Sequence, residues 1–520
     1  MPPVRLIGRI AIAVALLGLA CLSDSQIAAD VPYQITYRDA AQMQTIIDLG
    51  FDISHVDGDN ATVYTNGAAL EILSHMGIGY SLVDIGPIPE DWGKSGRVKA
   101  LGKYHGYADL SDALQAFAGA YPSICWLVSL GQSVEGRELW ALEITDNLDI
   151  EEDEPEFRYI STMHGNEPVG TEMLLYLIDH MLSGYGTDDR ITRIIDNTVI
   201  WIVPMMNPDG NAVPHRFNAN GFDLNRSFPV FGDDFTGTWF DGGPLLDNGR
   251  QPEVQAIMLW SALNSFVLAA NMHTGALVVN YPFDDDGGPN GIYAEAPDDD
   301  LYIDISLRYS EHNPPMFNSL SFTDGITNGA EWYVIEGGMQ DWNYRYLGCN
   351  EVTLELNSQF IPAESRLPDL WDDNRESMLS YLEAVNIGVR GLVRDATTNR
   401  PLFAQVHVQG NTQPVFTDPD IGDYHRMLLP GRYTLRYNSG GYFEREIGGI
   451  DVAAGDATRV DVQLAPHRAD VNGDNAIGAT DVQVVINAAL GLGGEGSDIN
   501  GDGQVDALDV QGAINCALVF

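Results

Sequence analysis

Between Leu101 and Ile387, short apolar runs alternate with stretches whose apolar residues recur every three or four positions, the pattern of strands interleaved with amphipathic helices. Phe157-Arg-Tyr-Ile-Ser-Thr-Met163, Thr198-Val-Ile-Trp-Ile-Val-Pro204 and Phe266-Val-Leu-Ala-Ala-Asn-Met272 read as buried strands, and Glu172 to Leu182 as a helix. Such alternation predicts an α/β domain built on a mixed sheet over 100–387. Ahead of it, residues 30–95 predict a small α+β module. Its strands lie near Tyr33–Tyr37 and Thr62–Tyr64 and its helices near Ala41–Leu49 and Ala68–Met76, with a linker opening at Gly86-Pro-Ile-Pro89. At Gly388 the period falls to two. Val389-Arg-Gly-Leu-Val-Arg394, Ala404-Gln-Val-His-Val-Gln409 and Gly431-Arg-Tyr-Thr-Leu-Arg-Tyr437 predict a β-sandwich over 388–466. Residues 467–520 contain an internal repeat: Asp470-Val-Asn-Gly-Asp474 returns as Asp498-Ile-Asn-Gly-Asp502, each ahead of a short apolar helix.

Composition narrows the partners. The chain has 520 residues, 45% hydrophobic and 19% charged, which fits several globular domains. Its 74 acidic and 27 basic residues leave a net charge of −47, which argues against nucleic acid and anionic membranes. Arg5 and Arg9 precede the apolar run Ile10–Ala20, which is too short to span a bilayer, and Ile27-Ala-Ala29 offers small residues for cleavage. Residues 1–29 therefore read as a signal peptide and the remainder as a secreted, extracellular chain with no transmembrane segment. Cys21 leaves a lipid-anchored alternative open. Export would permit a Cys125–Cys349 disulfide, although buried free thiols are the preferred reading for Cys125, Cys349 and Cys516.

His164-Gly-Asn-Glu167 follows one predicted strand and His273 ends another. Two histidines and a glutamate, with a fourth position open, are the ligand set of a catalytic zinc rather than a structural one. Spacing alone would equally allow a loop histidine beside a surface glutamate. Arg216 and the Asn225-Arg226 pair lie in a polar segment after the Asn207-Pro-Asp-Gly210 turn signal; a guanidinium beside an amide can grip a carboxylate. Glu355 stands inside an apolar strand, where a carboxylate is costly unless a metal, an ion-pair partner or a catalytic task holds it.

In combination, His164-Gly-Asn-Glu167, Asp223-Leu-Asn-Arg226, Gly337-Gly-Met-Gln-Asp341 and Thr353-Leu-Glu-Leu356 resemble zinc metallocarboxypeptidases of the carboxypeptidase A fold. The match is to their regulatory branch, carboxypeptidases D, E, M and N, in which a transthyretin-like β-sandwich follows the catalytic domain. The resemblance implies one catalytic zinc on His164, Glu167 and His273, with Glu355 as general base and Arg216 stabilising the oxyanion. It gives Asn225 and Arg226 the substrate's terminal carboxylate, and Tyr333 the role of closing over bound peptide. Asp284 and Gln340 would line a pocket selecting C-terminal Arg or Lys, although Asp284 belongs to an Asp-Asp-Asp run that could be a solvated turn. Ser227 and Thr274 depart from the usual Asn and Gly of this branch. The implied activity is release of single C-terminal residues from peptides and proteins with free C-termini. The alternatives are a non-catalytic peptide-binding relative, or a hydrolase of the same fold acting on amidated cell-wall peptides or acylated amino acids. The module over 30–95 is similar to prosegment-like modules ahead of some bacterial zinc carboxypeptidases.

In the repeat, Asp470, Asn472, Asp474 and Asp481 fall at loop positions 1, 3, 5 and 12, as do Asp498, Asn500, Asp502 and Asp509. Oxygen donors at that spacing, with the carbonyls of Ala476 and Gln504 at position 7, suit calcium. Aspartate at position 12 and the absence of a preceding helix make the segment resemble a small helical type I dockerin. That implies two calcium ions and allows a cohesin-type partner, although Ala479-Thr480 and Ala507-Leu508 are not an evident symmetric recognition pair, so anchoring or simple stabilisation is equally open.

Overall fold

The computed structural model describes residues 31–49, 51–65, 67–90, 92, 100–230, 250–474, 476–493 and 496–519. The leader expected over 1–29 lies outside them, as does most of the linker after Pro89.

The α/β domain is built on an eight-stranded sheet. Its order is Ile326–Asn328, Leu277–Tyr281, Asn350–Leu356, Phe266–His273, Glu156–Ser161, Val199–Val203, Glu138–Ile144 and Cys125–Gln132. The four strands from Asn350–Leu356 to Val199–Val203 run parallel, and antiparallel pairs flank them. Helices Val169–Gly184 and Leu367–Glu383 pack on one face and Pro252–Ala262 on the other. Covered on both sides, the central strands carry near-continuous apolar sequence, which is why they were legible as strands. Among the polar residues that interrupt them, Arg158, Glu351 and Asn271 pair with one another. Arg158 Nη2 lies 2.9 Å from Glu351 Oε2, both side chains fully buried, and Asn271 Nδ2 donates to Glu351 Oε1 at 2.8 Å.

The N-terminal module is a four-stranded antiparallel sheet ordered Asp52–Asp57, Asn60–Thr65, Val31–Thr36, Tyr80–Leu82, with helices Ala40–Asp48 and Gly67–His75. The strand Asp52–Asp57 is not apparent from the sequence. Asp-Ile-Ser-His-Val-Asp has too few apolar positions to announce itself, because half of it faces a polar surface of the next domain.

The sandwich pairs one sheet around Val389–Asp395 with another around Gly431–Asn438, closing on Val393, Val406, Leu435 and Tyr437. The tail helices Ala479–Ala489 and Ala507–Val519 meet through Val485, Ile499 and Ala513. The tail also packs on the sandwich: Ala469, Ile477 and Cys516 share a cluster with Ala396 and Ala465, and Arg468 Nη2 lies 3.6 Å from Asp395 Oδ2. Cys125, Cys349 and Cys516 are buried free thiols, so no Cys125–Cys349 disulfide forms. No described helix is long and apolar enough to cross a membrane.

Candidate active site

The site forms where the parallel strands end. Glu156–Ser161 turns at Thr162, whose φ of 51° is left-handed and rare for a β-branched residue. Its hydroxyl is held 2.7 Å from that of Thr171, which fixes the turn into the His164 loop. Gly165 is required there: a Cβ would stand 2.1 Å from the Gly210 carbonyl carbon. The Asn207-Pro-Asp-Gly segment expected as a turn starts a short helix instead, Pro208–Ala212, because the Asn207 side chain accepts from Gly210 N–H at 2.9 Å. His273 is the last residue of its strand, in direct register with Glu355 on the neighbouring strand.

This construction brings His164, Glu167 and His273 together, all buried. The Nδ1 atoms of His164 and His273 lie 3.0 Å apart, and Glu167 Oε1 and Oε2 lie 3.0 and 2.9 Å from His164 and His273 Nδ1. His164 Nε2 donates to Asp223 Oδ1 at 3.1 Å, so its Nδ1 keeps a lone pair aimed at the Glu167 carboxylate. A lone pair facing a carboxylate is repulsive unless a cation stands between them. Two imidazoles and one carboxylate with an open side fit zinc. Thr274 replaces glycine without disturbance: its N–H donates to Glu167 Oε2 at 3.1 Å and its hydroxyl to the Phe360 carbonyl.

Glu355 is buried beside this cluster, and burial followed by the charge of Glu167 pushes its carboxyl up to about 8. Arg216 is buried with Nη1 3.0 Å from His164 Nδ1 and Nη2 2.6 Å from Asp223 Oδ2. Asp223 thus orients His164 and the adjacent Arg216 guanidinium together. Sequence reasoning gave it no role, since an Asp before a short helical turn also reads as a cap, a job it does for Asn225 N–H.

Asn225, Arg226, Tyr333 and Asp284 line the same small cavity as the metal cluster. Asp284 is not a solvated turn residue: it is 1% exposed, accepts from Asn280 Nδ2 at 2.9 Å, and its N–H donates to Asp341. Burial and the neighbouring Asp341 raise its pKa well above the carboxylate range, while burial pushes Asp341 up to about 7. Gln340 lies behind the pocket wall, where Thr353 Oγ1 donates to its Oε1 at 2.9 Å.

A zinc carboxypeptidase family model matches residues 110–377, just over half of the chain. Mouse carboxypeptidase M is 39% identical over 367 residues, covering 65% of this chain and 79% of its own length. The chain belongs to the zinc carboxypeptidase family. A carboxypeptidase regulatory-like domain matches residues 388–465 and a type I dockerin domain residues 468–518, which sets this family member in the regulatory branch with an added tail. Human carboxypeptidase D is 42% identical over 395 residues, covering 72% of this chain and 28% of that longer protein. The chain therefore spans little more than a quarter of the carboxypeptidase D sequences it matches. Carboxypeptidase A from Helicoverpa armigera shares the fold, with a TM-score of 0.51 at 20% identity over 68% of this chain and 96% of that one.

In the tail, Asp470, Asp474 and Asp481 offer carboxylate oxygens within 4.8 Å of one another. In the second loop, Asp498 Oδ1 accepts from Gly501 and Asp502 N–H and Asp509 Oδ1 from Ile499 and Asn500 N–H, while Asn500 Oδ1 accepts from Asp502 N–H.

Proposed function

We propose that the chain is a secreted zinc metallocarboxypeptidase that removes single C-terminal residues, with preference for Arg and Lys. The observation carrying this reading is the juxtaposition of His164, Glu167 and His273 with Glu355 in strand register and Arg216 at 3.0 Å from His164. Zinc held by the three ligands supplies Lewis acidity to the reacting water and carbonyl. Glu355, in register with His273 beside the metal cluster, takes the water's proton and returns it to the leaving amine. Arg216 donates N–H groups to the developing oxyanion. Arg226 and Asn225 hold the terminal carboxylate, which confines cleavage to the last bond. Asp284, buried at the pocket end, favours a cationic side chain. The dockerin tail is proposed to take two calcium ions and to dock on a cohesin-type partner, supported by the domain match and by the carboxylates gathered in the first loop.

The test uses blocked dipeptides ending in Arg, Lys, Phe or Glu. Chelator-sensitive release of Arg and Lys supports the reading, and release of Phe alone would remove the role given to Asp284. Glu355→Gln should lose about 10²–10⁴-fold in kcat while keeping its zinc; unchanged kcat would remove Glu355 as the base.

A further inference from the structure

A second cluster of metal-ligating side chains lies where the sandwich meets the α/β domain. Asp423 and His425 stand two residues apart on the strand Asp423–Arg426, so both point to the same face of its sheet. Tyr424, between them, points the other way into the sandwich core. The segment leading into the strand Glu156–Ser161 brings Asp153 against the acid and the imidazole. Two arginines of the sandwich hold that segment. Arg390 Nη1 donates to the Asp153 carbonyl at 3.0 Å, and Arg459 Nη1 lies 2.5 Å from Asp153 Oδ2.

Asp153, Asp423 and His425 each offer a donor atom within 4.8 Å of the other two. His425 Nε2 lies 2.9 Å from Asp423 Oδ2, and these side chains are only 8% and 6% exposed. Asp153 Oδ1 is buried and has no hydrogen-bond partner among the described residues. Arg459 engages the other oxygen alone and divides its charge, its Nη2 lying 3.0 Å from Asp461 Oδ1. Two carboxylates facing each other in a desolvated joint, with one guanidinium shared with a third, are costly unless further positive charge enters. The donor set says which charge fits. Calcium and magnesium favour oxygen ligands throughout, whereas an imidazole with carboxylates suits zinc.

We propose that Asp153, Asp423 and His425 form a second zinc site, which fastens the sandwich to the α/β domain. It is separate from the catalytic cluster. His164 follows one end of the strand Glu156–Ser161 and Asp153 precedes the other, and the strand between them is roughly 20 Å long. Asp153 Oδ1, an oxygen of Asp423 and a nitrogen of His425 are the donors, and solvent completes the coordination on the side where Asp153 is 22% exposed. Arg459 stays on Asp153 Oδ2 and orients the ligand from outside. With three protein donors and no thiolate, the site binds more weakly than a closed four-ligand one. Because its ligands come from two domains, zinc here binds the docked form and not the separated one, and so stabilises the joint.

The test counts zinc in the full chain by atomic absorption, at buffered free zinc in the micromolar range and with excess calcium to occupy the repeat loops. The parent is compared with His425→Ala and with Asp153→Ala, which alter opposite sides of the joint, and far-UV circular dichroism checks that each folds. Each variant should hold one zinc fewer than the parent, while hydrolysis of an Arg-terminated blocked dipeptide stays unchanged. Because the count is a difference, it reads this site whatever the catalytic cluster holds. Cobalt(II) added to the parent carrying a single zinc should give visible absorption bands that both variants lack. Zinc beyond the first equivalent should raise the thermal midpoint of the parent and leave those of the variants where they are. Equal zinc content in the parent and in either folded variant would overturn the site.

Discussion

Removing the Asp223 charge should weaken zinc binding while leaving every direct ligand in place. The carboxylate fixes the His164 tautomer through Nε2 at 3.1 Å and pairs with Arg216 at 2.6 Å. In Asp223→Asn the side chain keeps its shape, but its amide can present either a donor or an acceptor to Nε2, so the Nδ1 lone pair is no longer enforced. Loss of such an orienting carboxylate costs about 10–100-fold in metal affinity, which is roughly 1.4–2.7 kcal/mol. Arg216 keeps Asp52 and Glu167 nearby, at 3.1 and 3.5 Å. Its charge is therefore not stranded, and the folding cost should stay below the roughly 3–5 kcal/mol of an unpaired buried ion. Competition for zinc against a chromophoric chelator reads the affinity, and urea unfolding of the metal-free protein reads the fold. Zinc affinity within about twofold of the parent, in a variant that folds normally, would refute the assignment of Asp223 as the group that orients His164.

Three further outcomes are expected. Asp284→Asn should lower kcat/KM for Arg-terminated dipeptides about 10²-fold while changing Phe-terminated ones far less, read from paired kinetics. The buried Asp284 and Asp341 carboxyls both have raised pKa values, Asp341 at about 7, so the negative charge of the pair grows as pH rises through about 7. A cationic substrate side chain favours the ionised form, and the ratio of kcat/KM for Arg over Phe should therefore increase between about pH 6 and pH 8. A flat ratio would contradict the sign. Arg158→Met strands the buried Glu351 and should cost about 3–5 kcal/mol in urea unfolding, while Arg158→Met with Glu351→Leu should recover most of that loss.

The cluster of His164, Glu167, His273 and Glu355 was legible because each interrupts a strongly apolar strand or follows it into a glycine turn, where a polar residue has few structural reasons to stand. The strand limits were legible for the same reason, to within a residue or two: Val199–Val203 against the expected Thr198–Pro204. His273 lies inside its strand because register pairing with Glu355 extends the strand by one residue. The strand Asp52–Asp57 was not legible, since its polar residues are explained only by Arg216, Arg226 and Tyr333, more than a hundred and fifty residues away in sequence. Asp223 was legible only as part of a motif, because its two partners, His164 and Arg216, come from different loops. Gln340 was expected at the pocket surface and lies one layer behind, hydrogen-bonded to Thr353.

The packing of the tail on the sandwich bears on mechanics. Ala469, Ile477 and Cys516 lock onto Ala396 and Ala465, and a Cβ on Gly512 would stand 3.2 Å from Thr397. A tail seated that way is a bracket rather than a tether. If it is held on a surface, the catalytic mouth points in one direction set by the joint and sweeps little volume around it. Chain ends presented within that narrow field would be trimmed repeatedly, whereas those a domain's width to the side would go untouched.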